Sequence, residues 1–185
     1  MVDYKGMIVE ADPFPHVIIQ NCLSESDYEA LVASWPKMMN RSTSGLKFNA
    51  TPTTEFYWKQ QLADTIRKLL NITGNPTLGR FALREPGYML RPHIDSPDVV
   101  ATVIHYLPLS DNSPKAGTVL YRAERPLEWG RSTTYFHNHG IPCTEVVTIP
   151  YEANTVLAFP NTPISAHGLH RLVEPRRIYQ WHFRP

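Results

Sequence analysis

The chain has 185 residues, 42% hydrophobic and 19% charged, with a formal net charge of +1 and a pI of about 7.8. That length suits one domain with a core that needs no staple, and the balance excludes a disordered chain. No run of Lys or Arg marks a nucleic-acid or anionic-membrane surface, and no apolar run approaches the roughly 18 residues of a membrane span.

The pattern predicts a first strand at His16-Val-Ile-Ile-Gln20. Ser24, with Asp27 three residues on, then caps a helix that carries Tyr28 to Trp35 and stops at Pro36. Residues 37–53, rich in Asn, Ser, Thr and Gly, read as a loop. A second helix is expected from about Glu55 to Asn71, because Trp58, Leu62, Ile66 and Leu69 line one face and Asn71 and Gly74 supply the stop. From residue 75 the helical period vanishes. Strands are expected at Thr77–Arg84, Val99–Leu107, Thr118–Ala123, Thr144–Ile149, Thr155–Phe159 and Arg177–Phe183. Seventeen prolines fit many short strands and turns better than a helical bundle. The expectation is a single α+β, mainly β domain over 1–185, with a helical preface (1–74) before a double-stranded jelly-roll core (75–185).

Cys22 and Cys143 form no metal-type pair, and one bridge is weak evidence for a secreted scaffold. The opening Met-Val-Asp-Tyr-Lys-Gly lacks the regions of a signal peptide. A soluble cytoplasmic protein is therefore expected.

Chemistry concentrates in Arg84-Glu-Pro-Gly-Tyr-Met-Leu-Arg-Pro-His-Ile-Asp95. His93 and Asp95 are two apart, so in extended chain both side chains project to one side. An imidazole and a carboxylate there, joined by a second imidazole, would make the facial triad of non-haem Fe(II). The plainer reading is a turn in which Asp95 caps the backbone of Ser96 and Asp98. The segment Asn154-Thr-Val-Leu-Ala-Phe-Pro-Asn-Thr-Pro-Ile-Ser-Ala-His-Gly-Leu169 offers the second imidazole: an apolar strand enters a turn and delivers His167. Ten residues on, Arg177 sits on a strand with Ile178, Trp181 and Phe183, where a buried guanidinium needs an anion.

These elements together resemble the iron(II)/2-oxoglutarate dioxygenase superfamily, and within it the small prolyl-hydroxylase-like members. The carriers are Gly87-x-x-Leu90-x-x-His93-x-Asp95, Tyr106-Leu107-Pro108, Ala116-Gly117-Thr-Val-Leu120, Phe159, His167-Gly168-Leu169 and Arg177, after an opening Pro13-Phe-Pro-His-Val-Ile. The match runs over nearly the whole chain. The resemblance implies that His93, Asp95 and His167 bind Fe(II) and that Arg177 binds the distal carboxylate of 2-oxoglutarate, assisted by His105 or Tyr106. It implies O2 as co-reactant, with ascorbate as an accessory reductant, and hydroxylation of a small molecule, amino acid or peptidyl residue with release of succinate and CO2. Asp95 favours hydroxylation over halogenation, although desaturation or ring closure would use the same ligands. The chain departs from the family at Arg84 and Glu85, where a Tyr is common, and at Ala116, which replaces the first Gly of a pair.

Alternatives stay open. His170 rivals His167, and Arg176 rivals Arg177; adjacent arginines on a strand point to opposite faces, so only one enters the site. His137 and His139 form a His-x-His triplet of the kind cupin metalloenzymes use, so a cupin-type enzyme without 2-oxoglutarate is one rival. A non-catalytic jelly-roll binding module is another. His16 and His182 read as structural, and Arg122 and Arg125 as substrate contacts or solvated surface. Residues 37–53 and 124–142 are the candidate lid and rim, the second carrying Trp129, Tyr135, Phe136 and Asn138.

Overall fold

The computed structural model describes residues 6–37, 39–41, 46–50, 56–109 and 116–185. In chain order it contains β1 (Gly6–Glu10), β2 (His16–Gln20), α1 (Glu25–Ala33), β3 (Asn40–Arg41), β4 (Lys47–Ala50), α2 (Trp58–Leu70), β5 (Asn75–Pro76), β6 (Arg80–Arg84), β7 (Leu90–Ile94), β8 (Ala101–Tyr106), β9 (Val119–Ala123), β10 (Thr134–Tyr135), a 3-10 turn (Phe136–His139), β11 (Cys143–Thr148), β12 (Val156–Pro160), β13 (His167–Leu169) and β14 (Arg176–Arg184).

The strands form two antiparallel sheets. The larger runs β1-β2-β12-β8-β14-β6-β4-β3, with β5 beside β14, and the smaller runs β10-β7-β13-β9-β11. This is the double-stranded jelly roll expected, with two helices packed outside. Alternation along the central strands sorts two cores. On β8, Ala101 and Val103 face the helices, whereas Ile104 and Tyr106 face the smaller sheet. On β14, Tyr179, Trp181 and Phe183 face the helices and Ile178 faces inward. The outer core joins Leu31 of α1 and Leu62, Ala63 and Ile66 of α2 to that first set. The inner core packs Ala82, Ile104, Leu157, Phe159 and Ile178 against Leu120 and Leu169.

Local signals explain the helix bounds. Ser24 accepts from the Asp27 backbone N–H and starts α1. Asn71, at φ 49°, takes the left-handed cap that ends α2. The α2 start falls at Trp58, and Glu55 lies outside the described residues.

Two expectations change. The predicted loop 37–53 holds β3 and β4, which extend the larger sheet; positions 38, 42–45 and 51–53 lie outside the described residues. Its polar composition hid the strands because β3 ends the sheet and β4, next to it, is only half-buried along its length. The 1–74 segment is likewise more than a helical preface, since β1 and β2 join the sheet through β12. Met7, Ile8 and Val9 of β1 stay exposed at its edge. No helix among the described residues is long and apolar enough to cross a membrane.

Candidate metal centre

β7 and β13 are neighbours in the smaller sheet, and their register pairs His93 with His167. The two rings therefore stand side by side, centroids 4.2 Å apart. Gly168 permits the close approach: a Cβ there would lie 2.5 Å from the Leu90 carbonyl oxygen. Asp95 follows β7. Its Oδ1 is 3.9 Å from His93 Nε2 and its Oδ2 is 3.8 Å from His167 Nε2. One ligand atom from each of the three residues falls within 4.8 Å of the others.

Each imidazole is oriented. His93 Nδ1 lies 3.0 Å from the Arg91 carbonyl and His167 Nδ1 lies 3.0 Å from the Ser165 carbonyl. A carbonyl only accepts, so each Nδ1 carries the hydrogen and each Nε2 presents its lone pair inward. Burial, followed by the neighbouring His167, pushes His93 down to about 3 and keeps it neutral. Burial alone would raise Asp95. The two imidazoles and the Thr102 hydroxyl outweigh it and hold the carboxyl at about 2, hence ionised. Thr102 Oγ1 donates to Asp95 Oδ2 at 2.6 Å. Asn161 accepts from the Asp95 N–H and donates to the carbonyls of Ser96 and Val99, at 3.0 Å each. Asp95 is thus aimed at the histidines rather than spent on capping a turn. Two imidazoles and an ionised carboxylate on one side of a cavity fit the donor set of a facial triad, with carbonyl-anchored rings of the kind metal sites use.

The cavity beside the triad is lined by Ile104, Leu169 and Ile178, and by Arg176. Arg176 is buried, donates from Nη2 to Thr118 Oγ1 at 2.9 Å, and leaves Nε without a partner. Tyr106 supports the same corner: its hydroxyl donates to Thr118 Oγ1 at 2.9 Å, and its ring lies 5.4 Å from the Arg176 guanidinium.

Three placements differ from expectation. Arg177 faces the helices, its guanidinium 3.8 Å over the Trp35 ring, and Arg176 is the one of the pair that lines the cavity. The cause is strand alternation: Arg176, Ile178 and Gln180 share the inner face. His105 also faces outward, 5.0 Å from the Trp58 ring, where its Nε2 accepts from Trp181 Nε1 at 3.1 Å. Tyr106, its neighbour, is the inward one. His170 lies at the surface with Glu145, 3.2 Å away, which leaves His167 as the triad histidine.

The remaining candidates sort similarly. His137 and His139 are exposed on the 3-10 turn and find no third ligand among the described residues. His16 is buried with Nδ1 2.9 Å from the Phe14 carbonyl. Arg122 pairs with Asp12, and Arg125 donates to the His139 carbonyl. In the 124–142 segment, Tyr135 pairs with His93 across the strands and lines the cavity with Thr133. Lys47, Arg80, Arg84 and Thr118 also line it and were not anticipated as site residues. The one sequence signal for them was the family departure at Arg84.

No protein-family model matches the chain, and no curated protein matches it. Solved structures do. HygX from Streptomyces hygroscopicus, with nickel, 2-oxoglutarate and hygromycin B bound, matches at TM-score 0.61 and 15% identity over 92% of this chain and 82% of that one. The carbocyclase SnoK from nogalamycin biosynthesis, described as non-heme and alpha-ketoglutarate dependent, matches at TM-score 0.64 and 13% identity over 91% and 79%. A Pseudomonas putida prolyl-4-hydroxylase matches at TM-score 0.56 and 16% identity over 92% of each chain. The chain has their fold. At these identities the likeness speaks to architecture, and the chemistry must be argued from the side chains.

Proposed function

We propose that the chain is an Fe(II)- and 2-oxoglutarate-dependent oxygenase that hydroxylates an unactivated C–H bond of a small molecule, amino acid or peptidyl residue, with release of succinate and CO2. One observation carries the reading: two Nε2-presenting histidines and an ionised aspartate converge on a cavity also lined by a buried arginine that has no acidic partner among the described residues. HygX, of the same fold, binds nickel and 2-oxoglutarate.

His93, Asp95 and His167 would hold the metal. Bound Fe(II) with 2-oxoglutarate and O2 supplies the oxidising chemistry. The protein's residues supply the geometry. Carbonyl anchoring at Nδ1 keeps both imidazoles facing the ion without a rotamer search. Thr102 fixes which Asp95 oxygen is free to bind. Arg176, steadied by Thr118, would clamp the distal carboxylate of 2-oxoglutarate. Ile104, Leu169 and Ile178 give the cavity an apolar wall, which would strengthen the clamp by excluding water.

Anaerobic titration of the protein with Fe(II) and 2-oxoglutarate tests the reading. A chelated 2-oxo acid gives a weak visible charge-transfer band. Absence of that band with the wild-type protein, or an unchanged band in the double variant His93→Ala with Asp95→Ala, sinks it. Succinate release against a panel of small substrates then identifies what is oxidised.

A further inference from the structure

Three adjacent strands of the larger sheet carry a row of basic residues into the cavity. Lys47 on β4 lies opposite Arg84 on β6, and Arg84 lies opposite Arg176 on β14. Paired positions on neighbouring strands project to one face with Cβ atoms ~5 Å apart. Arg80, an even number of residues from Arg84 on the same strand, shares that face. All four line the cavity with His93, Asp95 and His167.

This arrangement is costly without a ligand. Like charges directly opposite each other destabilise a sheet, and buried Arg is rare unless paired. Yet Arg84 is only 6% exposed and Arg176 only 5%. Arg84 Nη1 donates to the Phe48 and Leu83 carbonyls and to Asn49 Oδ1, all neutral acceptors. Arg80 Nη2 donates to Gln180 Oε1, and its Nε has no partner. Burial, then Arg84 and Arg80, hold Lys47 below its usual range. Among the described residues lining the cavity, Asp95 is the one carboxylate, and it belongs to the triad.

The charge balance singles out a second anion. A divalent metal and dianionic 2-oxoglutarate cancel each other, and Asp95 offsets one of the four basic side chains. Three positive charges then remain facing the space where a substrate must sit. Arg176 is engaged by 2-oxoglutarate in the oxygenase reading, which leaves Arg84, Arg80 and Lys47 without a counter-ion among the described residues.

We infer that Arg84, Arg80 and Lys47 form a second oxyanion site, separate from that of Arg176, and that the molecule oxidised is a small anion bearing a carboxylate or phosphate group. The word "oxidised" rests on the oxygenase reading; the anion site does not. A neutral substrate would leave the row uncompensated, whereas a carboxylate or phosphate seated on it accepts charge-assisted hydrogen bonds and fixes the register of the C–H bond presented to the metal.

Isothermal titration with inorganic phosphate, and separately with acetate, tests the site with and without saturating Fe(II) and 2-oxoglutarate under anaerobic conditions. The expected result is saturable binding that survives 2-oxoglutarate and weakens about tenfold or more in Lys47→Met and in Arg80→Gln. The tighter of the two probes identifies the group. Both positions are half-buried rather than deep in the core, and unchanged far-UV circular dichroism verifies that the variants fold. Absence of saturable binding, displacement of the probe by 2-oxoglutarate, or wild-type affinity in both variants overturns the inference. Failure of the Fe(II) and 2-oxoglutarate band, with probe binding as expected, removes the oxygenase reading and leaves the anion site standing.

Discussion

Exchanging the two adjacent arginines of β14 one at a time separates the faces of the strand. Arg176 lines the cavity with its Nε unpartnered and is steadied through Nη2 by Thr118. A hydrogen bond to a charged group is worth ~1.5–3 kcal/mol, so a two-pronged clamp on the distal carboxylate contributes roughly 3–6 kcal/mol. At about 1.4 kcal/mol per factor of ten, Arg176→Met should weaken 2-oxoglutarate by about a hundredfold or more. Arg177 stacks on Trp35 instead, 3.8 Å from its ring. Arg177→Met should leave 2-oxoglutarate affinity within about twofold and remove ~0.5–1 kcal/mol of stability, the worth of a cation–π contact at a half-exposed site. Arg176→Lys should recover part of the affinity, because lysine restores the charge and not the fork. The assay is anaerobic 2-oxoglutarate titration of Fe(II)-loaded protein, read at the charge-transfer band. The assignment of faces is refuted by the reverse order, with Arg177→Met the damaging change.

Other outcomes follow from the same geometry. Thr102→Val removes the hydroxyl that steers Asp95 and should weaken Fe(II) binding about 10- to 100-fold without altering the metal-free melting temperature by more than a few degrees, as measured by metal-competition titration. Asn161→Ala removes an amide that accepts from the Asp95 N–H and donates to three carbonyls, and should destabilise the protein by ~2–4 kcal/mol in urea unfolding, with metal affinity falling alongside. Burial, aided by Lys59, pushes His105 down to about 3 from an ordinary 6.5. The unfolded chain therefore takes up a proton that the native state refuses, so stability is unaffected above about pH 6.5 and falls as pH drops below it, by roughly 2 kcal/mol near pH 5. His105→Gln keeps an acceptor for Trp181 and should lessen the slope by about that amount, with the buried imidazoles of His93 and His182 supplying the rest; an unchanged slope would show that His105 contributes none of it.

Much of the fold was legible because the relevant patterns are local. Ser24 and Asn71 bound their helices through backbone chemistry that four or five residues specify. The apolar strands β8, β12 and β14 stand within a residue or two of their expected ends. The triad was legible for a different reason: His93 and Asp95 sit two apart, and the turn before His167 follows directly from an apolar strand. What could not be read is the facing of a strand buried on both sides. Along β14, buried apolar residues follow on both parities, Ile178 in step with Arg176 and Tyr179 in step with Arg177, so the sequence next to the arginines does not say which one faces in. The same holds for His105 and Tyr106 on β8, where all six residues are buried. Parity there is decided by register against β6 and β12, which is non-local. The basic row was hidden for the same reason, since Lys47, Arg84 and Arg176 are far apart in sequence and meet only through pairing.

The cost of that row yields a prediction opposite in sign to ordinary core mutagenesis. Arg176 is buried over the rings of Tyr106 and Tyr151, with Thr118 as a hydrogen-bond partner and Arg84 directly across the strands. Replacing a buried ion by an apolar side chain of similar volume is often neutral or stabilising by ~1–4 kcal/mol, and the lost ring contacts offset ~1–2 kcal/mol of that. Ligand-free Arg176→Met should therefore melt at or above the wild-type temperature, by up to about 10 °C, given roughly 2–4 °C per kcal/mol for a chain of this size. Thr118 and Tyr106 keep each other as partners, so the change orphans neither. Saturating Fe(II) and 2-oxoglutarate should reverse the order, because ligand binding stabilises only the protein that binds it. A pair of thermal melts decides the matter: a ligand-free loss of more than about 4 °C would mean that Arg176 is a structural cation, while the crossing of the two melting temperatures on adding ligand marks a residue held at a cost for binding.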